Sequence, residues 1–174
     1  MPEPLMSFTP HGLQIVQVDN EHAIGIWGEF MLAVWRRKTE LAAVQHLRHK
    51  LGDLGARYPS GTATISVIEQ TAVPPDNDAR KELSAVLTTP RLQCSSLVYE
   101  GTGFQAATVR GVVTAITLLR THPVPHVIHA SVREGVQWSL KTLGKSDSGK
   151  LAADLERVIE ELRGKITSAS DARR

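Results

Sequence analysis

From Ala63 onward the chain alternates short β-branched runs with stretches of helical period, and this alternation limits the folds open to it more than any other feature. "ATISVIE" (63–69) is rich in β-branched residues and reads as a strand. The loop "QTAVPPDND" follows, with an Asp or Asn cap leading into a helix that reaches about Leu87. "TTPR" breaks that helix, and "LQCSSLVYE" (92–100) is the next strand. A helix to about Arg120 comes next, with Val109, Val112, Val113, Ile116 and Leu119 on its buried face. "THPVP" breaks it, and "HVIHA" (126–130) is a short strand. Ser131 with Glu134 three residues on makes a capping box for a helix through Trp138, Leu140 and Leu143. Strands alternating with helices imply a mainly parallel sheet with right-handed crossovers.

The N-terminal part reads differently. Leu13 to Asp19 alternates apolar and polar residues, "DNEH" signals a turn, and Ala23 to Glu29 is a second strand. Together they form a β-hairpin. Met31 to Trp35 fits either the first turns of a helix or an extension of the strand. A helix is clearest from Thr39 to Leu54, where Leu41, Val44, Leu47, Leu51 and Leu54 recur at three and four residues. The fold class is therefore α/β, with a mixed, mostly parallel sheet: a hairpin, then βα units. Residues 12–144 form the domain and the polar stretch 145–150 is a linker. A further helix spans 151–166, and 167–174 is expected to be a disordered tail. That last helix carries Leu151, Leu155, Val158, Ile159 and Leu162 on one stripe. The stripe has to be buried against its own domain or, in a homodimer, against another chain.

Composition excludes several classes. Apolar content is 41% and charged content 22%, ordinary for a globular protein. A formal net charge of +2 is too small to argue for nucleic acid or an anionic membrane. Cys94, the single cysteine, excludes an internal disulfide and fits a reducing compartment. There is no signal-peptide pattern at the N-terminus and no long apolar run, so no stable membrane insertion is expected. The expectation is a cytoplasmic protein.

The segments "VIE" (67–69) before a proline-containing loop, "VYEGTGF" (98–104) followed by Ala107 and Arg110, and "ASV" (130–132) with Glu134 and Trp138 also form a pattern. With the element order, they make residues 12–143 resemble the STAS or SpoIIAA-like fold, with most similarity to bacterial single-domain members. The helix after Leu151 lies outside the resemblance. It implies a non-catalytic, regulatory module working through a protein partner. Anti-sigma-factor antagonists of this fold are switched by phosphorylation of a serine at the start of the second helix, in a D-S-S/T-G context. This chain has no serine there before Ser84, and Thr71 is the nearest hydroxyl. Thr71 is thus the phosphorylation candidate.

Candidate sites cluster at the strand ends. "GTGFQA" satisfies G-x-G-x-x-A, but it follows an inner strand and lacks the acidic residue that a dinucleotide ribose needs. Thr102 and Gln105 instead fit a T-x-x-Q capping box, with Gly101 or Gly103 supplying an unusual backbone angle. Glu69 and Glu100 end parallel strands on one rim, where open α/β sheets bind ligands. Arg110 is placed to pair with a carboxylate. The candidate ligand- or partner-binding residues are thus Glu69, Thr71, Glu100, Thr102, Gly103, Phe104 and Arg110. No catalytic residue, cofactor or metal is assigned: His126 and His129 fall on opposite faces of a strand, and His46 and His49 sit in a basic helix face. The alternative to a protein-interaction module is a domain binding a small ligand or lipid at this rim. A closed apolar pocket beneath the rim would favour that alternative.

Overall fold

The computed structural model describes residues 12–118, 124–145 and 149–171. In chain order the elements are β1 (Gln14–Val18), β2 (His22–Trp27), β3 (Phe30–Trp35), α1 (Leu41–Arg57), β4 (Thr62–Ile68) and α2 (Asn77–Val86). They continue with β5 (Leu92–Tyr99), α3 (Phe104–Leu118), β6 (His126–His129), α4 (Val132–Thr142) and α5 (Gly149–Asp171). The strands form one mixed sheet in sequential order; β1 to β3 run antiparallel and β3 to β6 parallel.

The stretch with two readings, Met31 to Trp35, is neither a helix nor a continuation of β2. It is the separate strand β3, returned by a two-residue turn at Gly28 and Glu29, where Gly28 takes a φ of 57°. A positive φ at the first loop position is what a tight hairpin asks of glycine. β3 is central, paired on both sides, and every residue from Phe30 to Trp35 is buried. A strand buried on both faces loses its alternation, which is why its period could not be read.

α1, α2 and α3 each join neighbouring parallel strands, so right-handed crossovers place all three on one face of the sheet. After β6 the chain turns back, and α4 and α5 cover the other face. Side chains alternate accordingly. Leu32, Val34, Ile65, Val67 and Val98 pack under α4 and α5, whereas Ile24, Met31 and Trp35 pack under α1. Local caps hold the helix starts. The Asp76 carboxylate accepts the Ala79 N–H at 2.8 Å. At α4 the Ser131 hydroxyl accepts the Glu134 N–H at 3.2 Å, while the Glu134 carboxylate reaches back to the Ala130 N–H at 3.1 Å.

The apolar stripe of α5 is spent on its own sheet. Leu155, Val158, Ile159, Leu162 and Ile166 are each at most 2% exposed, against β1, β2, β3 and α4. The helix continues to Asp171, into the stretch expected to be a tail; residues 172–174 lie outside the described residues. Among the described residues, no helix is long and apolar enough to cross a membrane.

Candidate functional site

At the C-terminal rim of the parallel strands, Glu69 follows β4 and Glu100 follows β5. Both are tied to arginines. Arg36, just after β3, donates to Glu69 through Nε at 2.7 Å and Nη2 at 3.1 Å. Arg163 of α5 donates to Glu100 through Nη1 at 2.8 Å and Nη2 at 2.9 Å, and its Nη1 lies 3.6 Å from Glu69. The two carboxylates are therefore joined by Arg163 and not by Arg110, which is exposed and forms no ion pair among the described residues. Hydrogen bonds from Arg163 hold the Glu100 carboxyl below its ordinary value. With Glu160, 3.4 Å from the Arg163 Nη2, these groups form an ion-pair network that ties the strand ends to α5.

The other rim candidates have structural duties. The Thr71 hydroxyl donates to the Arg36 carbonyl, pinning the β4–α2 loop beside β3. The Val73 N–H does the same to the Arg37 carbonyl at 2.7 Å. The expected Thr102 cap is displaced by one residue. α3 begins at Phe104, and the Ala107 N–H bonds the Gly103 carbonyl at 3.3 Å, which puts Gly103 at the cap position. Gly103 has a φ of 69°, so it turns the chain into the helix later than the T-x-x-Q spacing implied. Thr102 is exposed, and the side chains of Phe104 and Gln105 lie outside the described residues.

Beneath the rim lies a cavity of about 110 Å³, open on one side and lined by the sheet, α1, α2, α3 and the loop Ala72–Pro75. Its roof is apolar: Leu83 and Val86 from α2 with Leu87 just after it, and Val109, Val112 and Val113 from α3. Its floor is polar. Thr64, Ser95 and His126 lie in register on β4, β5 and β6, forming a row across neighbouring strands, with Ser66 two residues along β4. The His126 Nδ1 is 2.9 Å from the Ser95 hydroxyl. Thr64 is 4% exposed, yet among the described residues neither its hydroxyl nor that of Ser66 has a hydrogen-bond partner. No Asp, Glu, Lys or Arg lines the cavity among the described residues. α3 rests on α2 more than on the sheet below it, which leaves this space open.

Elsewhere the candidate groups are absorbed by packing. The basic helix face is largely neutralised, with Arg48 paired to Glu82 and both His49 and Lys50 near Asp53 at 3.8 Å. His46 bonds Gln17 at 2.9 Å. Cys94 is fully buried, and burial pushes its thiol up to about 11. Among the described residues no cluster of His, Cys, Asp or Glu is arranged to hold a metal ion.

Three histidines are buried enough to matter for pH. Desolvation pushes His22, His126 and His129 below the ordinary value of 6.5; His22 packs at a tilt against Trp35 and His129 against Trp138, each with centroids 5.3 Å apart. The unfolded chain then takes up protons at a higher pH than the folded one, so stability rises with pH through this window. The unfolding midpoint in urea should be lower at pH 5.5 than at pH 7.5 and level above that; an unchanged or higher midpoint at pH 5.5 would contradict the burial of these rings.

Comparison with protein-family models, with curated proteins and with solved structures finds no match.

Proposed function

We propose that this chain is a cytoplasmic, non-catalytic binding module of the STAS-like kind, whose ligand is a small molecule held between the sheet and helices α2 and α3. One observation carries this reading: a cavity with an apolar roof has on its floor the Thr64 and Ser66 hydroxyls, which have no hydrogen-bond partner among the described residues. The mixed sheet, starting antiparallel and continuing in βα units, supports the STAS-like part of the proposal.

A protein partner stays within it. α3 is at once the roof of the cavity and exposed on its outer side at Thr108, Arg110, Gly111 and Thr114. A guest that lifts or seats α3 thereby changes an exposed surface. The apolar stripe of α5 covers its own sheet and is taken up within this chain.

Titration with benzene, followed by amide proton–nitrogen correlation spectra, tests the cavity. Shifts should cluster on β4, β5, α2 and α3 and vanish in Val112→Phe, which fills the space. Shifts scattered over the surface, or shifts that survive the substitution, would remove the basis for this reading.

A further inference from the structure

The chemistry of the lining narrows the ligand further, given the reading of the cavity as a binding site. Its size sets a scale: at about 110 Å³ it is of the order of the roughly 150 Å³ apolar cavity known to admit benzene, so a single six-membered ring is a body of matching size. The floor supplies directed hydrogen bonding at one end of that body. Thr64, Ser95 and His126 face the cavity from three adjacent strands at one register level, about 4.8 Å apart strand to strand. The Ser95 hydroxyl and the His126 Nδ1 satisfy each other, whereas the Thr64 hydroxyl, 4% exposed, has no partner among the described residues. A hydroxyl can donate one hydrogen bond and accept others, so it matches an alcohol, phenol or carbonyl equally.

Charge is the second filter. No ionised side chain lines the cavity among the described residues, and burial keeps His126 neutral near pH 7. A carboxylate, phosphate or ammonium group brought here would lose its hydration without gaining a counter-charge, which costs far more than a neutral polar group does.

We propose that the cavity takes an uncharged molecule of about the size of a single six-membered ring, bearing one hydroxyl or carbonyl group that bonds the Thr64 hydroxyl in the Thr64–Ser95–His126 row. Benzene, phenol and benzoate separate the elements of this assignment, because they share a ring and differ in the polar group and its charge. Amide titrations at pH 7.5 should show phenol binding at least tenfold more tightly than benzene, with benzoate producing no shifts at the cavity. Thr64→Val keeps the shape and removes the hydroxyl. It should bring phenol close to benzene while leaving benzene binding within about twofold; Ser95→Ala should weaken phenol less.

Equal binding of phenol and benzene to the unaltered chain, binding of benzoate as tight as that of phenol, or a phenol preference unchanged in Thr64→Val would each overturn the assignment and leave the cavity as a site for a different ligand. Failure of all three compounds to shift cavity residues would overturn the binding-module reading itself, and this assignment with it.

Discussion

Ending the chain at Lys145, without α5, is expected to leave it unable to reach a monomeric native state. The helix does not sit beyond the sheet. Its side chains Leu155, Val158, Ile159, Leu162 and Ile166 cover Trp27, Leu32 and neighbouring residues of the antiparallel half. Full burial of an aliphatic side chain contributes about 1.5–3 kcal/mol, so the stripe reaches the order of 10 kcal/mol, as large as the roughly 5–15 kcal/mol stability of a typical domain. Removing α5 also leaves Glu69 and Glu100 without Arg163. The truncated chain should elute as aggregate in size exclusion and lose its near-ultraviolet dichroism. Leu162→Ala is the milder test, with an expected loss of about 2–5 kcal/mol in urea denaturation. A truncated monomer that melts cooperatively near the temperature of the full chain would show that residues 12–144 stand alone.

Gly135→Val carries the second large effect. α4 lies so close to β5 that even a Cβ at Gly135 would sit 2.7 Å from the Ser96 hydroxyl and 2.8 Å from a methyl of Val98. Ser96 and Val98 are both fully buried, so neither can move into free space. The helix has to rise from the sheet, opening the packing of Val136 and Leu140 beneath it. Overpacking of this kind costs about 1–3 kcal/mol and at times more, and the branched side chain puts Gly135→Val at the upper end. Gly111→Ala is the matched control. No neighbour lies within 4 Å of its added Cβ, and replacing glycine by alanine inside an exposed helix gains up to about 1 kcal/mol. Equal effects of the two substitutions in urea denaturation would contradict the close approach of α4 to β5.

These cases mark where the sequence was legible. The βα alternation after Ala63 and the Ser131–Glu134 box rest on local chemistry, and both stand in the fold. β3 did not declare itself, because a strand apolar on both faces has no period to read. The placement of α5 also depends on packing: its stripe was plain, but nothing local says which surface the stripe meets. The partner of Glu100 followed from that placement. Arg163 lies 63 residues away, and only the seating of α5 brings it to the rim, so the nearer Arg110 looked like the natural cation.

The cavity left a fainter trace. Thr62, Thr64 and Ser66 alternate along β4, which puts polar side chains on one face of a buried strand. That pattern was available in "TATISVI". Its meaning came from the register with Ser95 and His126, and strand register across a parallel sheet is not written in any local motif.

A crystal structure of the protein grown with saturating phenol is the most direct test of what this molecule binds. The ring should lie between Val112 and the sheet, with its oxygen within hydrogen-bond distance of the Thr64 hydroxyl. A cavity empty of phenol at saturation, or phenol seated at the Glu69–Arg163–Glu100 rim instead, would contradict the small-molecule reading of this fold.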